Sequence, residues 1–353
     1  MSRQERKMEH VNLAKNTSSI TPNSDFDAIR LVHRSFPETS VDEVSLMTSI
    51  CSIEFLSPIY INAMTGGSHE TGQINEAFAK IARATGMAMA VGSQHAGIRD
   101  PQVAESYRIV RRVNPSGIVM ANIGAGAPPD YAKKAVDMLE AQLLQVHVNA
   151  PQELVMPEGD RDFHGWLKNV ERMVQLSPVP VIVKEVGFGI SRETIRQLRD
   201  IGVTAIDVGG RGGTDFTWIE NQRRADKTYD YLRGWGLSTV TSLLESHQAE
   251  QDMAVCASGG IRHPLDALKS FALGASAVGI AGPVLRSLLH DGVEQTISML
   301  QSWQAELRTL MTMVGATSIP AMSDVPLVIL GDVKTWCDVR GIDVTHFARR
   351  GQS

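Results

Sequence analysis

Ala257-Ser-Gly-Gly-Ile-Arg262 follows the apolar run 253–256, and Gly279-Ile-Ala-Gly-Pro283 follows the apolar run 275–278. Each run reads as a buried strand, and each glycine corner opens onto a helical pattern. Glycine lets a backbone approach an oxyanion closely, and a helix start behind it adds favourable partial charge. Two such corners in succession form a phosphate cradle, although tight strand-to-helix turns also use glycine for steric reasons alone. In a (β/α)8 barrel the phosphate site commonly follows strands seven and eight, often with a short extra helix such as 283–289 here.

Outward from this pair the same rhythm extends back to Pro58. Strands are expected at 59–63, 88–91, 117–121, 143–148, 179–183, 205–208, 253–256 and 275–278. Helices are expected at 70–85, 101–112, 130–141, 163–176, 192–201, 239–249, 264–273 and 291–313. Eight alternating units imply a parallel sheet closed into a TIM barrel. Residues 1–54 read as an N-terminal arm with helical pieces at 26–34 and 41–46, 55–317 as the barrel, and 318–353 as a C-terminal extension with one helix at 331–338. The stretch 209–238, between the sixth strand and its helix, is long enough to be functional and is read as a lid over the barrel mouth.

With 353 residues, 43% hydrophobic and 21% charged content, the composition is that of an ordinary globular protein. A net charge of −5 offers no global attraction to nucleic acid or anionic lipid, so an anionic ligand needs a local cluster. Three scattered cysteines supply neither a disulfide framework nor a metal knot. The charged N-terminus does not resemble a signal peptide, and no apolar run reaches membrane-spanning length. A cytoplasmic protein is expected.

Barrel chemistry sits at the C-terminal ends of strands. Those ends carry Ala63-Met-Thr-Gly-Gly67, Gly92-Ser-Gln-His95, Asn122, Asn149-Ala-Pro-Gln-Glu153, Lys184-Glu185 and Gly209-Gly-Arg-Gly-Gly-Thr214. Hydroxyl, amide and glycine groups facing a lysine suit a flat heterocycle whose phosphate tail reaches strands seven and eight, and FMN fits. Ser93 and Asn122 are open to a second reading as helix caps. Lys184 needs a partner, but consecutive strand residues diverge, so Glu185 is poorly placed to supply one. Facing the mouth, Lys184 can stabilise negative charge on a reduced flavin.

Arg6-Lys7-Met-Glu-His10, Met64-Thr-Gly-Gly67, His147-Val-Asn-Ala-Pro-Gln-Glu153, Lys184-Glu-Val-Gly187, Gly212-Gly-Thr214 and Ser258-Gly-Gly-Ile-Arg262, with Trp336 and Arg340-Gly341, together resemble type 2 isopentenyl-diphosphate isomerase. The match runs over nearly the whole chain in order. It implies a homo-oligomeric flavin barrel, a tetramer or octamer, that interconverts isopentenyl and dimethylallyl diphosphate. The cofactors implied are reduced FMN and magnesium, with NADPH or NADH reducing the flavin. Carried over by position, the resemblance places FMN on Ala63, Met64, Thr65, Ser93, Asn122, Lys184, Thr214, Gly259, Gly260, Arg262, Ala281 and Gly282. It places substrate on Arg6, Lys7, His10, His147, Asn149 and Gln152, and metal on Glu153. Gln152, Lys184 and His147 are the expected catalytic set, with Gln152 as a candidate to orient or relay a proton and His147 assigned first to diphosphate contact.

The substrate's alkene forms no strong hydrogen bonds, so binding energy must come from the diphosphate and be used to orient the reacting carbons. Charge-assisted hydrogen bonds contribute about 1.5 to 3 kcal/mol each, so two cations and a metal would suffice. Three rivals remain. A 2-hydroxy-acid oxidase barrel needs a histidine base in a pattern like Asn-His-Gly-Gly-Arg, where this chain reads Asp207-Val-Gly-Gly-Arg211. A purine-nucleotide-oxidising barrel needs a mouth cysteine, whereas Cys256 lies inside a strand. A silent flavin-binding barrel would leave the basic arm without a purpose.

Overall fold

The computed structural model describes residues 24–247 and 253–351. Strands β1 (Ile29–Leu31), β2 (Thr48–Ile50) and β3 (Ile53–Phe55) precede the barrel. The barrel strands are β4 (Ile59–Ile61), β5 (Met89–Ala90), β6 (Val119–Gly124), β7 (Leu143–Val148), β8 (Val181–Glu185), β9 (Ala205–Asp207), β10 (Ala254–Ser258) and β11 (Ala277–Ile280). They close in sequence order, β11 pairing parallel with β4. The final strand, β12 (Leu327–Ile329), lies outside the barrel.

Alternation along each strand separates two cores. Ile59, Ile61, Val181, Val183, Ile206 and Val208 belong to the large core that also contains helix residues such as Phe78 and Leu243. Tyr60, Ala90, Met120, Leu143, Ile182, Ala205, Cys256 and Ala277 fill the barrel interior. The apolar runs therefore located every barrel strand, but not β1, β2, β3 or β12. Several strands extend past them, because the hydrogen-bonded ladder continues into polar residues such as Lys184-Glu185 and Ser258.

Two helical expectations near the N-terminus are met only in part. Over 26–34, one 3-10 turn, Asp25–Ala28, leads into β1, which pairs antiparallel with β12 in the C-terminal segment. That distant edge overrides local propensity. Over 41–46 only the 3-10 turn Val41–Glu43 forms. The hairpin β2–β3 turns through Cys51 and Ser52, both at positive φ, and sends Ile50 and Phe55 into the interior cluster as a floor. Thr48 Oγ1 donates to the Ser276 carbonyl at 2.8 Å, tying this floor to the start of β11.

The stretch 209–238 contains the helix Phe216–Gln222 and the 3-10 turn Asp230–Leu232. It is fastened to the segment after β7: Gln152 Nε2 donates to Glu220 Oε1 at 2.9 Å and Arg224 Nη1 to the Val155 carbonyl at 3.2 Å. The C-terminal segment is longer in structure than its one expected helix, with β12, the helix Gly331–Arg340 and the helix Val344–Ala348. It clamps the barrel through Glu245, whose fully buried carboxylate accepts from Arg340 at 2.8 Å on each oxygen and from Trp336 Nε1 at 2.9 Å. Arg340→Ala should cost about 2–3 kcal/mol of stability, because hydrogen bonds to a buried charge are lost, and a urea melt would read it.

Candidate active site

The barrel's inner face carries the chemistry in one lateral row. Gly124, His147, Lys184, Asp207 and Cys256 are successive register partners on β6 through β10. The hydrogen bonds sort this row into two clusters. In the first, His147 Nδ1 lies 2.8 Å from Asn122 Oδ1, and Asn122 Nδ2 donates to Gln145 Oε1 at 3.3 Å. The amide oxygen can only accept, so Nδ1 of His147 carries the proton. Asn122 thus faces the interior and is no helix cap. Ser93 is none either, since the helix His95–Arg99 starts at Gln94 without a side-chain cap.

In the second cluster Lys184 Nζ donates to Asp207 Oδ2 at 2.9 Å and to Ser258 Oγ at 3.0 Å. Tyr60 Oη reaches Asp207 Oδ2 at 2.7 Å and Asn62 Nδ2 reaches it at 3.2 Å. Burial and the adjacent Asp207 carboxylate raise the Tyr60 phenol well above its ordinary range, so it stays a donor. Gly279 is explained here. A Cβ at that position would sit 2.6 Å from Tyr60 Cζ and from Asn62 Nδ2, so glycine makes room for the ring to cross the barrel. Burial and Asp207 also push the Cys256 thiol up, which leaves it a protonated core residue rather than a nucleophile.

Glu185 diverges from Lys184 as the strand period requires, and its Oε2 accepts from the amides of Val186 at 2.6 Å and Phe188 at 2.7 Å. Burial pushes its carboxyl up to about 8 despite those two amides. A carboxyl raised in the folded state loses stability as pH climbs from its unfolded value through the folded one. The protein should therefore weaken by an amount on the order of a few kcal/mol between about pH 5 and 8. Glu185→Gln should flatten that slope in urea melts at the two pH values.

Past β7, Asn149 Nδ2 donates to Gln152 Oε1 at 3.3 Å and to Glu153 Oε1 at 3.0 Å. Glu153 Oε2 also accepts the Asp160 amide at 3.1 Å. Glu220 is fully buried between Gln152 and Arg223, whose Nη1 meets Glu220 Oε2 at 2.5 Å, while Nη2 reaches Glu158 at 2.7 Å. Among the described residues no group of three or more His, Cys, Asp or Glu is placed to hold a metal ion. A single carboxylate such as Glu153 suits a magnesium ion that takes its other ligands from phosphate and water.

Other expected positions are also placed. Ala63 and Met64 are half-buried at the end of β4. Thr65 turns away, its hydroxyl donating to Asn75 Oδ1 at 2.8 Å, so its backbone is what it offers a ligand. Thr214 is half-buried in the loop after β9. Arg262 is held by Asp266 at 2.7 Å and by Asp27 at 2.7 Å, which occupies the guanidinium the cradle was expected to use. Arg6, Lys7 and His10 lie outside the described residues.

A family model described as FMN-dependent dehydrogenase matches residues 132–327. An isopentenyl-diphosphate delta-isomerase of Staphylococcus haemolyticus (strain JCSC1435) is 51% identical over 342 residues, which is 97% of this chain and 98% of that protein. The chain belongs to the isopentenyl-diphosphate delta-isomerase family. A second family member, from Staphylococcus saprophyticus subsp. saprophyticus, is 50% identical over 97% of the chain and 98% of its own length. Membership, with the FMN-dependent family match, makes the chain an isomerase of the FMN-dependent type. Among solved structures, flavocytochrome b2 with benzoylformate has a TM-score of 0.66 at 18% identity, covering 93% of this chain and 84% of that one. A mandelate oxidase variant with an FMN monooxide adduct has a TM-score of 0.62 at 19% identity, covering 91% and 92%. These two share the barrel fold. At the position where the oxidase pattern needs a base, the isomerase-family chain has Val208, an apolar side chain buried in the outer core.

The residues present fit FMN. The amides of Gly260 and Gly282 meet no acceptor among the described residues, and Gly282 opens a helix, Gly282–Asp291, whose N-cap Ala281 supplies no side-chain cap. Unpaired amides at two adjacent strand ends form an anion cradle. Gly259 has an additional steric reason: a Cβ there would sit 2.0 Å from the Gly210 carbonyl oxygen.

Asp207 and Glu220 escaped the sequence reading. Asp207 shares the inward phase of Ala205, so strand alternation could have identified it. Glu220 had no such signal, because its contact with Gln152 joins two short helices, Ala150–Val155 and Phe216–Gln222, through partners 68 residues apart.

Proposed function

We propose that the chain interconverts isopentenyl and dimethylallyl diphosphate by adding a proton at one carbon and removing one from another, in the cytoplasm, as a homotetramer or homo-octamer. The observation that carries this reading is the buried Gln152–Glu220 pair at 2.9 Å, between the short helices that follow the two strands flanking that of Lys184, in a chain whose near-full-length relatives are named as isomerases. Bound in its reduced form, FMN supplies an acid and base at its ring face and the negative charge that Lys184 addresses; NADPH or NADH keeps it reduced.

The chain's own groups do the rest. Gln152 gives one hydrogen of Nε2 to Glu220 and has a second on the same nitrogen for a ligand, so the amide plane is fixed before substrate enters. Glu220, an acceptor when ionised, holds the Gln152 amide in place, and Gln152 in turn orients the substrate for the proton transfer. His147, with its proton on Nδ1, directs Nε2 as an acceptor; the imidazole donates to a diphosphate through Nε2 only when doubly protonated. Glu153 would hold magnesium, which would supply positive charge for the diphosphate, and on the family resemblance Arg6, Lys7, His10 and Asn149 would add contacts to the same anion.

The test is an anaerobic incubation of isopentenyl diphosphate with the protein, FMN, magnesium and dithionite, with products read by NMR. Dimethylallyl diphosphate is the expected product. Yellow protein without conversion would return the reading to a silent flavin barrel, and oxidation of lactate or another hydroxy acid would return it to the oxidase.

A further inference from the structure

Lys184 is held in place by one carboxylate. Asp207 is fully buried and accepts five hydrogen bonds: Tyr60 Oη at 2.7 Å, Asn62 Nδ2 at 3.2 Å and Lys184 Nζ at 2.9 Å on Oδ2, and Ser258 Oγ at 2.5 Å and the Gly209 amide at 3.1 Å on Oδ1. The donors come from β4, β8, β10 and the loop after β9, so the carboxylate position is over-determined. An ammonium has three hydrogens in tetrahedral array. Asp207 and Ser258 take two of them, and their positions set the direction of the third.

The pair also limits charge. A lysine alone would present a full unit of charge in a poorly screened interior, whereas a lysine 2.9 Å from a carboxylate presents the positive end of a dipole. We propose that Asp207 is a positioning residue for the bound flavin: it aims the remaining N–H of Lys184 at the mouth and reduces the positive charge delivered there. The enzyme thereby holds reduced flavin less tightly than an unpaired lysine would. This inference rests on the reading that Lys184 faces FMN.

Signs follow from charge alone. Positive charge beside the ring stabilises the reduced, anionic form and raises its midpoint potential. Asp207→Asn should raise the potential of the bound flavin, by a tenfold gain in relative affinity for the reduced form, or about 30 mV for a two-electron couple. Tyr60→Phe keeps the carboxylate but removes a competing donor, so Lys184 is neutralised more fully and the potential should fall by a smaller amount. Lys184→Met should lower it as well.

The experiment is a spectroelectrochemical titration of FMN-loaded wild type, the three single variants and the Asp207→Asn, Lys184→Met double variant. The inference predicts that the Asp207→Asn shift is much smaller in the Lys184→Met background, a coupling that a purely structural role would not produce. Equal shifts in both backgrounds would mean that Asp207 acts by its own field, and would overturn the proposal. An unchanged or raised potential in Tyr60→Phe would overturn it too, and that variant serves if Asp207→Asn does not load flavin. If Lys184→Met alone moved neither potential nor FMN affinity, the underlying placement of Lys184 would be what failed.

Discussion

Lys184→Ala is expected to lower turnover of isopentenyl diphosphate by about 10²- to 10³-fold, the scale on which a pre-aimed donor acts in a dry site. The same change should lower stability by about 3–5 kcal/mol, since removing one partner of a buried ion pair strands the other. Asp207 would keep Tyr60, Asn62, Ser258 and the Gly209 amide as donors but lose the Lys184 countercharge, the only one within hydrogen-bonding distance among the described residues. The two losses are separable. Combining Lys184→Met with Asp207→Asn removes both charges and should recover most of the stability in urea melts while turnover stays low. If the double variant regained turnover as well, Lys184 would be structural.

The second large effect concerns Gln152 and Glu220. Glu220→Gln keeps the side chain's shape while removing the charge that pairs with Arg223 and receives Gln152. Proton handling through a positioned group is worth about 10²- to 10⁴-fold, so kcat should fall by at least 10²-fold. KM for isopentenyl diphosphate should change only a few-fold if, as proposed, the diphosphate is held mainly by other groups. Gln152→Ala should behave alike, and the double variant should be no worse than the weaker single, as for residues acting as one unit. A rise in KM with kcat unchanged would instead place the pair in binding.

Much of this molecule is local and therefore legible. Runs such as Val181-Ile-Val183 can only be buried, and alternation with amphipathic helices leaves a closed parallel sheet as the economical solution. The strand period separated Lys184 from Glu185 correctly, because side-chain direction depends on neighbouring residues alone. The segment 26–34 misled for the complementary reason. Its apolar residues suit either a helix turn or a strand, and β12 resolves the choice from nearly three hundred residues away.

By itself the amino-acid order determined the eight-fold strand and helix alternation, the loops that bear the polar groups and the inward phase of each strand, since all of these are settled over a few residues of backbone geometry. Only closure of the barrel decided who meets whom. Tyr60 finds Asp207 across 147 residues, Lys184 finds Ser258 across 74, and Gln152 finds Glu220 across 68. Period and propensity fix the direction in which a side chain points, but its partner depends on how distant segments pack. For that reason the lysine could be picked out in the sequence, while the carboxylate that holds it emerged from the fold.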